Sequence, residues 1–193
     1  ADDNSLSLGH NNQQGLRNTL TILNSGYAKT FFWNGKTSSL EEQVKHPIEN
    51  PLEMNFKMDL ALIKIKNNLD YQLKFSEIFG NEGITEENVS KAIATFERTL
   101  VSKKSRFDLF VEGKKDEFTD AEVRGLHLFR TKANCINCHH SSYFSDQKFH
   151  NIGIDFFSEN DSDLGRFEVT KNPLDKKKFK TPTLREISAT SPY

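Results

Sequence analysis

The chain has 193 residues, room for one large or two small domains, and 26 Lys+Arg stand against 27 Asp+Glu. So even a balance gives no field to attract nucleic acid, and no apolar run of roughly 18 residues is present to span a membrane. Apolar residues make up only 35%, low for a globular chain, although Phe is abundant at 16, so a bulky apolar group would supply area that the side chains lack.

In chain order, residues 1–20 are polar and turn-rich, and His10, between a glycine and amides, reads on residue type as a solvated loop histidine. Leu20, Ile22 and Leu23 form a short apolar patch. Phe31-Phe32-Trp33 then leads into an Asn34-Gly35 turn, three aromatics that serve a core or the edge of a cofactor. Ser38 and Ser39 before Glu41 and Glu42 give a doubled capping-box signal for a short helix through Val44, with Gln43 inside and Pro47 stopping it. Beyond Pro51, Glu53 stands next to Met54 and is a candidate for a carboxyl with a raised pKa.

Helical spacing predicts helices over Met58–Ile65 and Leu69–Phe79, with Gly80 closing the second. Thr85 is the expected N-cap of the next helix, Ile84 is placed to staple onto Val89, and Val89, Ala92, Ile93, Phe96 and Leu100 make one core stripe. The charged break Ser102-Lys103-Lys104-Ser105 sets a domain boundary near residue 104, and Phe107, Leu109, Phe110 and Val111 are expected to pack back on a domain. Thr119 and Glu122 form a T-x-x-E box for a helix over Asp120–Arg130.

That helix leads into Cys135-Ile136-Asn137-Cys138-His139, both cysteines of the chain in the C-x-x-C-H spacing of c-type haem attachment. Two thiols one turn apart can each add to a porphyrin vinyl group, and the next residue places an imidazole beneath the iron. A zinc site completed by His127, His139, His140 or His150, or a thioredoxin-like pair, are the alternatives. The remainder is irregular, with a polar loop over 158–163 and a Lys176-Lys177-Lys178 run that is solvated or steers an acidic partner. Thioether attachment takes place, in bacteria, outside the cytoplasmic membrane, so a periplasmic location is expected.

Several segments together resemble one family. Gly9-His10, Arg17-Asn18-Thr19, Phe32-Trp33-Asn34-Gly35, Leu40-Glu41-Glu42-Gln43, Asn50-Pro51-Leu52-Glu53-Met54, Cys135–His139, Phe149–Gly153, Gly165-Arg166-Phe167 and Lys180–Arg185 stand in the order seen in the bacterial di-haem cytochrome c peroxidases and their relatives that mature methylamine dehydrogenase. The resemblance covers nearly the whole chain. It implies an all-α fold of two cytochrome c-like helical domains with long irregular loops, here residues 1–104 around a peroxidatic haem and 105–193 around an electron-receiving haem c.

By that resemblance Cys135, Cys138 and His139 hold the electron-receiving haem, and His10 looks like the distal ligand of the peroxidatic one, which leaves the iron before peroxide binds. Trp33 falls where the family places an electron relay between haems, and Gln43 and Glu53 fall in the peroxide pocket. Asn18 and the main-chain oxygens of Thr190 and Pro192 match the family's Ca2+ site. The implied reaction reduces hydrogen peroxide to water with electrons from a small cytochrome c or cupredoxin, and it leaves room for a homodimer. The family's first C-x-x-C-H and its C-terminal axial ligand are missing, so the chain reads as an internal piece of a longer protein. A mono-haem electron carrier and a di-haem enzyme oxidising a protein side chain are the other readings.

Overall fold

Side-chain caps set where most helices begin in the computed structural model, which describes residues 4–153 and 163–191. In α1 (Leu40–Glu49) the Ser39 hydroxyl accepts from the Glu42 amide at 3.1 Å, while the Glu42 carboxylate accepts from the Ser38 amide at 2.9 Å. The two serines therefore share the cap. Pro47 does not stop this helix, contrary to the sequence expectation: it lies inside the last turn, and the chain stays helical to Glu49. A proline there withholds one bond, that to the Gln43 carbonyl, and the Asn50 amide closes the turn behind it on the His46 carbonyl at 2.9 Å.

Helices α2 (Met58–Lys66) and α3 (Leu69–Phe79) follow the predicted spans, and Gly80 ends α3 at φ 62°. Thr85 caps α4 (Glu86–Thr99), its hydroxyl accepting from the Asn88 amide at 3.1 Å. Phe75, Ile84 and Val89 are buried together, with Leu62, Ile65, Phe79, Ala92 and Ile93 packed on them. Phe96 departs from the expected core stripe and is 62% exposed, because this cluster covers Ala92 and Ile93 but stops short of the next turn.

Past α4 the chain relies on aromatic pairs. A Ser105–Asp108 capping box opens α5 (Arg106–Val111), where Phe110 stacks on Phe118 at 4.5 Å and Phe107 meets Phe144 edge-on at 4.9 Å. The Thr119–Glu122 box is present in full at the start of α6 (Asp120–Arg130). Among the described residues, every buried apolar side chain falls between Leu40 and Ala94, so the later half has no apolar core of its own making. It does carry a short helix α7 (Phe167–Thr170) and one antiparallel pair, β1 (Phe149–His150) with β2 (Phe179–Lys180), which the sequence reading did not foresee. The described structure is thus helix-rich with little strand.

The segment leaving β2 stitches distant pieces together. The Lys180 amide donates to the Trp33 carbonyl at 2.8 Å, and the Thr181 carbonyl accepts from the Ser145 hydroxyl at 2.7 Å. Thr183 Oγ1 donates to the Tyr143 carbonyl at 2.5 Å, and Arg185 Nε to the Ser142 carbonyl at 2.8 Å. Arg185 also grips both oxygens of Asp108, at 2.6 and 2.7 Å, and this guanidinium, with Ser105, holds the Asp108 carboxyl well below the usual carboxylate range.

Replacing Arg185 with Met in the full-length protein is expected to lower stability by about 2 kcal/mol in urea unfolding at neutral pH. Because the folded-state value of Asp108 is depressed, its contribution is complete above the ordinary value of 3.8 and is lost as the pH falls below it. The deficit of the variant should therefore shrink in acid; a deficit unchanged down to pH ~2 would place the stabilisation elsewhere.

Candidate functional site

The C-x-x-C-H motif opens with a 3-10 turn, Cys135–Asn137, entered through Asn134 at φ 57°, a left-handed setting that asparagine tolerates. Helix α6 packs against it, and both cysteines are free thiols. His139 Nδ1 lies 3.0 Å from the Phe144 carbonyl oxygen. A carbonyl can only accept, so Nδ1 carries the proton and Nε2 keeps its lone pair, the state required of a metal ligand. Phe144 is itself placed by the Phe107 ring and by the Arg185 guanidinium, 5.1 Å above its own ring. The Asp108–Arg185 pair thus acts on His139 at one remove. A main-chain oxygen leaves no mark in residue types, so sequence reasoning missed Phe144.

The neighbourhood suits a porphyrin. A cleft of about 530 Å³ is lined by Phe110, Val123, Leu126 and His127, and Val123 and Leu128 are 42% and 49% exposed. Cys135, Cys138 and His139 do not line this cleft, whose walls belong largely to α6, the helix packed against the motif. For the zinc alternative, ligand atoms of Cys138, Asp146 and His150 lie within 4.8 Å of one another. Cys135 takes no part in that group, so the cysteine pair is not arranged as half of a zinc site, and His150 Nε2 is already 2.7 Å from Asp146 Oδ2.

A second and larger cavity, of about 1240 Å³, brings together Trp33, Gln43, Glu53, Asn18 and Thr190. Cys135, Cys138 and His139 are not among its lining residues, so the site is in two parts. Leu16, Ile22 and Met54 line it while 82%, 53% and 59% exposed, an apolar wall that favours an apolar occupant. Its size exceeds the ~300–1,000 Å³ of ordinary ligand pockets. The size and the apolar walls therefore fit a second porphyrin-sized group, although neither cysteine of the chain lines this cavity.

Within this cavity Trp33 Nε1 donates to the Asn18 carbonyl at 2.7 Å, and Asn18 Nδ2 donates to the Ser5 carbonyl at 3.0 Å. Asn50 Nδ2 donates to the Glu53 carboxylate at 2.7 Å and orients it. His10 does not line the cavity; its imidazole is exposed on the turn His10–Asn12, although the adjoining Gly9 reaches the wall. A Cβ on Gly9 would stand 2.0 Å from the Leu52 oxygen, so only glycine fits, and the His10 amide donates to the Glu53 carbonyl at 2.5 Å. The loop bearing His10 and the segment bearing Glu53 are therefore fastened through their backbones. Pro192 lies outside the described residues, as does the polar loop apart from Asp163.

The Trp33 turn is clamped from the far end of the chain. Phe32 sits at φ 64°, a strained setting for a bulky residue, and a Cβ on Gly35 would lie 2.3 Å from the Phe149 ring. Arg166 Nη1 donates to the Asn34 and Gly35 carbonyls at 2.8 and 2.7 Å while its guanidinium covers Phe149 at 4.4 Å. Arg17 binds both oxygens of Asp163, at 2.7 and 2.6 Å, and reaches Glu168, which also accepts from Asn34 Nδ2. The sequence reading quoted Arg17 and Arg166 within motifs, but their acceptors lie too far along the chain for local pattern to reveal.

His139→Ala in the full-length protein is expected to leave a porphyrin on the two thiols while displacing its visible absorption bands. An unchanged spectrum would show that the iron takes its ligand elsewhere.

The chain is similar to known proteins along its whole length. A family profile described as di-haem cytochrome c peroxidase matches residues 1–116. Cytochrome c551 peroxidase of Nitrosomonas europaea is 36% identical over 194 residues, covering 100% of this chain and 58% of the relative. Methylamine utilization protein MauG of Methylophilus methylotrophus is 34% identical over 197 residues, covering 100% and 57%. The crystal structure of a MauG-like protein associated with microbial copper homeostasis superposes with a TM-score of 0.87 at 31% identity, over 100% of this chain and 61% of that one. The diheme peroxidase BthA from Burkholderia thailandensis, at 22% identity and a TM-score of 0.83 over 98% of this chain and 56% of its own, shares the fold. The chain thus spans less than two thirds of the length of these relatives. With the profile match over more than half of its residues, the chain belongs to the di-haem cytochrome c peroxidase family.

Proposed function

We propose that this chain is part of a two-haem peroxidase that reduces hydrogen peroxide to water with electrons from a small cytochrome c or cupredoxin in the periplasm. The observation that carries the reading is the large cavity, which gathers a carboxyl, an amide and a tryptophan around space for a porphyrin. In this reading residues 1–104 and 105–193 are two cytochrome c-like helical domains, the first giving most of the cavity wall, to which Glu168, Lys180 and Thr190 of the second add, and the second carrying the haem on Cys135 and Cys138. No helix among the described residues is long and apolar enough to cross a membrane.

Haem, when bound, supplies an iron that binds peroxide and the electrons that cleave its O–O bond. The chain's own residues do the rest. Turning one peroxide into two waters takes two electrons and two protons, and one proton already on the near oxygen must move to the far one. Glu53, held by Asn50, is placed to carry it as a general acid–base. Gln43 has an amide that donates and accepts, so it orients peroxide without changing charge. Trp33, tethered to Asn18 through its indole N–H, is the relay for the electron that arrives from the second haem. His10, exposed beside the wall residue Gly9, would reach the iron as a removable ligand only by a movement of its loop. The side-chain oxygen of Asn18 and the carbonyls of Thr190 and Pro192 form a hard-oxygen set for Ca2+, and it is supported by Asn18 and Thr190 lining one cavity.

The 34% identity to a methylamine utilization protein favours one further reading, oxidation of a protein side chain from the same pocket.

Glu53→Gln is expected to slow the reaction with peroxide by about 10²-fold or more in rapid mixing, with the resting spectrum intact. A variant as fast as the unsubstituted enzyme would remove Glu53 from the proton path. Exhaustive chelation, with calcium loss confirmed by metal analysis, is expected to lower turnover without releasing haem, whereas full activity would dissolve the calcium assignment.

A further inference from the structure

One buried charge is used by none of these roles. Lys180, on β2, is only 8% exposed and lines the large cavity. Its Nζ donates to the Thr30 carbonyl at 2.6 Å and lies 5.9 Å from the centre of the Phe31 ring. No carboxylate of the described residues pairs with it. Four acids line the cavity, Glu49, Glu53, Glu97 and Glu168; Glu53 is held by Asn50 and Glu168 by Arg17 and Asn34, and none of the four forms an ion pair with Lys180. Burial without a counter-charge lowers the Lys180 pKa to about 8.

A buried ammonium satisfied by one carbonyl is unfavourable by several kcal/mol on general grounds, and proteins keep such groups where an anion meets them. An ammonium on a cavity wall with one carbonyl partner has hydrogens to spare, and they call for an oxygen anion. Aspartate or glutamate from the described residues does not supply it. The occupant argued above does, because a porphyrin carries carboxylates on flexible arms at its edge.

We propose that Lys180 receives a propionate carboxylate of the haem that fills the large cavity. The proposal rests on the two-haem reading. Its consequence reaches Trp33, because the Lys180 amide donates to the Trp33 carbonyl at 2.8 Å. One residue would thus position both a cofactor edge and the relay tryptophan, and its charge would set how readily that haem accepts an electron. A cation near the propionate favours the reduced iron, so removing it lowers the reduction potential of that haem and leaves the other almost unchanged.

The test uses the full-length, haem-loaded protein. In a spectroelectrochemical titration, Lys180→Met is expected to move one haem to lower potential, and Lys180→Arg, which keeps the charge, is expected to bring it back towards the unsubstituted value. Two haems at unaltered potentials in Lys180→Met overturn the proposal. A crystal structure of the unsubstituted holoprotein decides the matter even if the Met variant fails to fold: Nζ within hydrogen-bonding distance of a porphyrin carboxylate supports the assignment, and Nζ bonded to protein groups alone refutes it. Intact mass separates the two levels of failure. A single porphyrin per full-length chain defeats the two-haem reading together with this proposal, whereas two porphyrins with no contact to Lys180 defeat the proposal alone.

Discussion

The six residues from Lys180 to Arg185 are the constraint on which both halves of the site depend. At one end the Lys180 amide holds the Trp33 carbonyl; at the other Arg185 holds Asp108, the Ser142 carbonyl and the face of Phe144. Phe144 in turn fixes the His139 tautomer. A short stretch with no helix in it therefore sets the positions of Trp33 and His139 simultaneously. Charge-assisted bonds suit this task better than apolar contact, since they are directional and hold a loop in one geometry.

The distribution of apolar surface explains why such fastening is needed. Among the described residues, buried apolar side chains lie between Leu40 and Ala94, while large ones elsewhere, such as Leu16, Ile22 and Val123, face open space along the two hollows. A chain in this condition lacks the usual driving force for packing its later half. Rings paired with rings, and arginines gripping acids and carbonyls, hold the frame of each hollow. The cofactor completes what the sequence leaves thin, and this is why so low an apolar content is compatible with an ordered site.

Local signals were the legible ones. Ser39, Thr85 and Thr119 could be read as caps because the acceptor and the amide it serves are three residues apart. The cysteine–histidine spacing was legible for the same reason. Pro47 and Phe96 were misread because each depends on what surrounds it: a proline in a final turn withholds a single bond, and a periodic face is buried only where something covers it. Arg17 and Asp163, or Trp33 and Lys180, meet across most of the chain, and pattern in one sequence does not reach so far. The roles of Gln43, Glu53 and Asn18 came from family resemblance; the structure adds that they share one cavity.

The contact between Gly9 and the Leu52–Glu53 backbone has a mechanical consequence. Two strips of polypeptide that touch without room for a methyl group, and that share a hydrogen bond, cannot slide past each other by even an ångström without breaking it. Any swing of the histidine-bearing loop must then drag the acid along or snap this hinge-pin. On the roles proposed for His10 and Glu53, moving the one would re-aim the other, and the two motions would be strokes of one lever.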